Sequence, residues 1–104
     1  MRSKANVTAE VRLSERAQYQ LSDLMASVAQ ESPAGARRLR MALADLLDRI
    51  GAFPESSPAV GADTNLRMGL AGRRLHVLYQ IRDDGLLVLD VVYAGYDLRR
   101  LLDE

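Results

Sequence analysis

From Val7 to Leu13 apolar and polar residues alternate, with Val7, Ala9, Val11 and Leu13 set against Thr8, Glu10 and Arg12. A period of two belongs to a strand with one buried face. The period then changes: Ala17, Leu21, Leu24, Met25 and Val28 recur at helical spacing and form one apolar stripe. Ser14 stands where a side-chain oxygen can cap that helix, and Glu15 where the helix dipole favours negative charge. These signals predict a helix running to about Gln30. Ser32-Pro33 restarts the pattern, because proline at the first helical position gives up only an N–H that the helix does not use. Ala36, Leu39, Leu43, Leu46, Leu47 and Ile50 share one face of this second helix. Arg37, Arg38, Arg40, Asp45, Asp48 and Arg49 take the other and read as a solvated surface. Gly51 is expected to close the helix with a left-handed cap. With so short a connection the two helices must fold back as a hairpin.

The segment from Phe53 to about Asn65 is rich in Pro, Ser, Gly and Ala and reads as a surface loop. Leu66–Leu70 is a short strand candidate, interrupted by Ala71-Gly72. Two longer candidates follow, Arg73–Arg82 and Leu86–Tyr93, and Asp97 can cap a short terminal helix over residues 98–102. The order is β-α-α-β-β-β with helices and strands segregated. That pattern predicts a single α+β domain over residues 1–104: an antiparallel sheet with a helical hairpin on one face and a short C-terminal helix.

The turn Asp83-Asp84-Gly85 decides which side chains share a face. A two-residue Asp84-Gly85 loop would pair Tyr79 with Asp90 and drive a carboxylate into the core. A three-residue loop with Gly85 in a left-handed conformation pairs Tyr79 with Leu89, Val77 with Val91 and Leu75 with Tyr93. One face then carries Leu75, Val77, Tyr79, Ile81, Leu87, Leu89, Val91 and Tyr93, all apolar or aromatic, so this register is preferred. The opposite face carries Arg74, His76, Gln80, Arg82 and Asp90 among Leu78, Leu86, Val88 and Val92. Aliphatic residues on a face with no predicted body helix above it call for a cover: the terminal helix, a second copy of the chain, or a separate partner protein.

Composition narrows the chemistry. With 48% hydrophobic and 27% charged residues the chain can build an ordinary globular core. It has no cysteine, which removes disulfides, thiolate metal sites and thiol nucleophiles. One histidine cannot make a multi-histidine centre, so no metal and no cofactor are expected. The formal net charge of zero gives the whole chain no pull towards nucleic acid. Lys4 is the only lysine, so the cations are forked guanidinium groups. Neither a secretory signal nor a membrane-spanning run is visible, and a cytoplasmic location is the expectation.

Several stretches together resemble one family. Val11-Arg12-Leu13-Ser14-Glu15-Arg16-Ala17 resembles the strand-to-helix opening of ParE proteins, and Ile50-Gly51-Ala52-Phe53-Pro54 their helix exit. Leu66–Leu70 followed by Gly72–Ile81 resembles their core segment, in which histidine and tyrosine alternate with hydrophobic residues. Asp97-Leu98 is similar to the acidic-hydrophobic pair after their last strand, although Tyr93-Ala94-Gly95 stands where many have His-Gly-Arg. The chain thus resembles the RelE/ParE superfamily of toxin–antitoxin toxins, nearest its ParE-like branch.

The resemblance implies two alternative activities. A ParE-like toxin binds and poisons DNA gyrase without hydrolysis and is neutralised by a ParD-like antitoxin in a hetero-oligomer. It has no sequence-specific DNA contact of its own. A RelE-like toxin is a ribosome-dependent endoribonuclease of mRNA. Cleavage through the 2′-hydroxyl needs a base, cations and an acid. His76 would be the base, Arg74 and Arg82 (with Arg67) the cations, and Tyr96 the acid. The neutral composition and the aliphatic residues on the same face favour the protein-binding branch. Its expected partner-binding residues are Arg67, Arg74, His76, Leu78, Gln80, Arg82, Val88, Asp90 and Val92. The resemblance further implies that an amphipathic antitoxin helix lies beside the helical hairpin and the first strand.

Overall fold

The computed structural model describes residues 8–94. Val7, the terminal-helix expectation at residues 97–102 and Tyr96 lie outside the described residues. The elements follow the order β1 (Val11–Leu13), α1 (Glu15–Glu31), α2 (Pro33–Ala52), β2 (Ala59–Val60), β3 (Asp63–Ala71), β4 (Leu75–Arg82) and β5 (Gly85–Tyr93). They build one five-stranded sheet in the order β1-β5-β4-β3-β2. Neighbours are antiparallel except β1, which runs parallel to β5, because the helical hairpin carries the chain back before the next strand begins.

Both helices start as the capping residues predict. Ser14 Oγ accepts from the Ala17 N–H at 3.0 Å, and Ser32 Oγ accepts from the Gly35 N–H at 2.9 Å. Ser32 also ends α1, donating its own N–H to the Val28 carbonyl. One residue thus serves two helix ends and enforces the hairpin. Gly51 does not cap α2. It lies buried in the last turn, where a Cβ would sit 3.3 Å from the Ala9 carbonyl oxygen, and Phe53 is the cap. Small size, rather than left-handed freedom, is what that glycine supplies. The Ala9 N–H donates to the Gly51 carbonyl at 2.9 Å and ties the lead into β1 to the end of α2.

The core lies between the hairpin and one face of the sheet. Ala17, Leu43, Leu46 and Ile50 meet Leu75, Val77, Tyr79, Leu86, Val88 and Val91, each at most 7% exposed. Gly69 lets α2 approach β3, since a Cβ there would lie 3.0 Å from a Leu46 methyl. Tyr79 is fully buried and donates its hydroxyl to the Pro54 carbonyl at 2.7 Å, so its one polar atom is satisfied at the rim.

Three features depart from the sequence expectation. The Phe53–Asn65 loop contains β2 and the start of β3: Ala59 pairs with Arg67, and Val60 with Asp63 across a turn in which Gly61 has φ +66°. The β4–β5 turn has two residues, Asp83 and Asp84, with Arg82 opposite Gly85. The extra residue of β5 is placed further along, as a bulge at Leu89 between the pairs Leu78–Asp90 and Tyr79–Val88. Both ends of the hairpin thereby present apolar side chains to the helices, but with different members. Leu86 and Val88 enter the core at 1% exposure, whereas Leu87 turns to the opposite face. The expected pairs Val77–Val91 and Leu75–Tyr93 are present.

Gly85 still has a positive φ, +136°, for a reason outside the hairpin. A Cβ there would sit 2.4 Å from the Glu10 carbonyl oxygen, which accepts the Leu86 N–H at 2.8 Å. Gly85 is thus the gate through which β1 joins the sheet. Beyond Leu13, side chains of the Ser14 cap and of α1 take over as neighbours of β5. Ser14 Oγ donates to the Leu89 carbonyl at 3.2 Å, and Gln20 Oε1 accepts from the Val91 N–H at 2.9 Å. The bulge therefore falls where β1 ends and its backbone groups find side-chain partners.

Candidate partner-binding face

The sheet face turned away from the helices is built by three strands in register. β3 contributes Leu66, Met68 and Leu70; β4 sets Gln80, Leu78 and His76 beside them; β5 adds Leu87, Asp90 and Val92. None of these nine residues joins the helix-packed core cluster. An aliphatic column along β3 therefore continues through Leu78 at mid-sheet, with His76 and Gln80 on either side of it. Leu70 is 44% exposed, and Leu66, Met68, Leu78 and Leu87 are half-buried. Val92 is 7% exposed.

The sequence-predicted residues divide into four groups. His76, Leu78, Gln80 and Arg82 lie on this face as expected. His76 Nδ1 stands 3.3 Å from the Arg74 carbonyl, and Arg82 approaches Gln80 Oε1 at 3.4 Å. Val92 shares the face but offers little surface. Asp90 occupies an outward register position, yet its Oδ1 accepts from Arg16 Nε at 3.1 Å and Gln20 Nε2 at 2.6 Å. Its carboxylate is committed to α1.

Three of the expected partner-binding residues are not on this face. Val88 is core, because the bulge shifts the alternation along β5. Arg67 stands opposite Tyr79 and so points to the helix side. It donates to the carbonyls of Thr64 at 2.8 Å, Ser57 at 2.9 Å and Glu55 at 3.3 Å, which anchors the loop before β2. Arg74 lies 6.0 Å from the centre of the Tyr93 ring. With Leu24, Ser27, Val28, Glu31, Ser32, Tyr93 and Ala94 it lines a cavity of about 280 Å3 beside the second half of α1.

These positions bear on both activities. His76 and Arg82 are six residues apart on one strand, about 20 Å along its axis. Arg74 reaches the helix side of the sheet. The described members of the base-and-cation set therefore do not converge on one phosphodiester. Among the described residues no three His, Asp or Glu side chains are grouped to hold a metal ion. The face instead offers apolar area with a polar border. Leu66, Met68, Leu70 and Leu87 are not among the partner-binding residues expected from the sequence. The alternation of Leu66, Met68 and Leu70 was visible in the chain, but only the pairing with β4 shows that they extend the Leu78 patch.

No family model matches the chain, and no curated protein matches it by sequence. A chain of the solved "Chromosomal ParDE TA system from P. aeruginosa" has the same fold. The match covers 88% of this chain and 100% of that one with a TM-score of 0.68, at 7% sequence identity. The α+β fold expected from the sequence is thus shared with a solved protein, at very low sequence identity. No helix of the described residues is long and apolar enough to cross a membrane.

Proposed function

We propose that this chain is the toxin of a type II toxin–antitoxin pair, that it inhibits DNA gyrase by protein binding, and that a ParD-like antitoxin neutralises it. The observation that carries this reading is the match across the whole length of a chain from a ParDE system. The outward sheet face supports the protein-binding branch. Its centre is Met68 and Leu78, whereas a surface that grips RNA needs cations for phosphates. His76, Leu78, Gln80 and Arg82 with the Leu66–Met68–Leu70 column are the proposed contact residues.

Induced expression in a bacterial host, with and without a small upstream partner gene, tests the toxin class. Growth arrest that the partner relieves is the expected result. Purified protein is then added separately to gyrase with supercoiled plasmid and to translating ribosomes with mRNA. Loss of gyrase turnover or accumulation of cleaved DNA is expected. Ribosome-dependent cuts in mRNA with gyrase unaffected would overturn the proposal in favour of the endoribonuclease.

A further inference from the structure

The zero net charge conceals an uneven distribution. From Pro33 to Ala44, α2 carries Arg37, Arg38 and Arg40 and no acid. All three arginines are exposed. Arg37 and Arg40 are also one turn apart, where like charges disfavour a helix by a few tenths of a kcal/mol. The β3–β4 turn lies against the same part of the helix, since a Cβ on Gly72 would be 3.5 Å from that of Ala42. That turn delivers Arg73 and Arg74, both exposed. Arg38 folds towards the start of α2, its guanidinium 3.8 Å from where a Gly35 Cβ would be. Arg74 shares the 280 Å3 cavity with Ser32, the residue that caps that helix end.

Five arginines therefore gather at one end of the molecule. Among the described residues the ion pairs are Arg12–Asp84 and Arg16–Asp90, so none of the five is in one. Glu31 is the acid in the cavity wall. The α2 amino-terminus adds its own positive potential.

We propose that this arginine pole receives an acidic segment of a partner protein. The segment's carboxylates would meet the guanidinium groups, and one apolar side chain would enter the cavity. The apolar part of the cavity wall, Leu24, Val28 and Tyr93, selects a peptide over a nucleic-acid backbone, which has nothing to place there. The proposal rests on the reading of the chain as half of a two-protein system and adds a second contact region, away from the Leu78 face.

The test uses the full chain and a short fluorescent glutamate-rich peptide with one central phenylalanine. Anisotropy titration should show binding that weakens as salt rises from about 50 to about 200 mM. Arg73→Glu with Arg74→Glu should weaken it about tenfold, and Arg37→Glu with Arg38→Glu similarly. Replacing the peptide phenylalanine by alanine should also weaken it. Arg49→Glu, exposed in the last turn of α2 at the helix end away from the pole, should leave it unchanged. Circular dichroism melting confirms that each variant is folded, and the glutamine versions, which remove charge without reversing it, should give intermediate losses. Absence of peptide binding, equal loss with Arg49→Glu, indifference to the phenylalanine, or tighter binding of a DNA duplex would each overturn the proposal. A toxin relieved by its partner whose arginine pole fails this test keeps the functional reading and loses only this site.

Discussion

The two faces of the sheet are made from the same three strands and many of the same residue types, yet only one of them becomes the core. On the helix side Leu75, Val77, Tyr79, Leu86 and Val88 are at most 1% exposed. On the other side Leu66, Met68, Leu78 and Leu87 keep part of their surface in water with no place in the core. The contrast shows that hydrophobicity alone does not make a core in this protein. What makes it is the pair of helices that Ser14 and Ser32 start, laid over one face. Among the described residues no helix lies over the other face, and an aliphatic face without such a cover is the kind that can bind another protein.

Adjacent residues of β5 give the sharpest way to break that comparison. Val88→Asp should unfold the protein, because it places a carboxylate without a partner in the buried core beside Tyr79; the expected loss is about 4 kcal/mol or more. Leu87→Asp should cost about 1 kcal/mol or less in the same urea titration. If Leu87→Asp proves the more damaging, the bulge is misplaced and the turn carries the extra residue after all.

Gly85→Ala should come next. The added methyl meets the Glu10 carbonyl, so β1 must part from β5 or Gly85 must shift, at about 2–4 kcal/mol. Hydrogen exchange should show the Leu86 amide losing protection while the β3–β4 amides keep theirs. Arg67→Ala should be milder, about 1–2 kcal/mol, because the carbonyls of residues 55, 57 and 64 can turn to water. Its effect should be confined to the β2 loop and should leave the proposed partner binding unchanged, in contrast to the role first expected of that residue. Smallest in stability is Leu78→Asp, at about 0.5 kcal/mol or less. That same variant should give the largest loss of partner relief in the growth assay, which separates the two faces by function rather than by folding.

Much of the architecture was legible in the chain because it depends on local signals. The serine caps and the apolar stripes placed both helices, and Pro33 placed the hairpin between them. Alternation placed β4 and β5, and the pairs Val77–Val91 and Leu75–Tyr93 followed from keeping polar groups out of the core. The site was legible in part. His76, Leu78, Gln80 and Arg82 could be put on one face from β4 alone, since a single strand without a bulge keeps its alternation throughout.

The rest needed contacts between distant parts of the chain. Whether the extra residue of β5 sits at Asp84-Gly85 or at Leu89 cannot be read from the hairpin. The choice depends on β1 ending at Leu13 and on the Ser14 cap and Gln20 of α1 reaching the freed backbone. Arg67 and Arg74 look alike in sequence, but one is held by loop carbonyls from residues 55–64 and the other borders a cavity against α1. By itself, then, the sequence determined the elements, their caps and the alternation of β4, all of which depend on residues within a turn or two of one another. Tertiary structure decided the faces of β5 and the fate of each arginine, because a backbone group or guanidinium takes whatever partner the fold brings near, however far away in sequence.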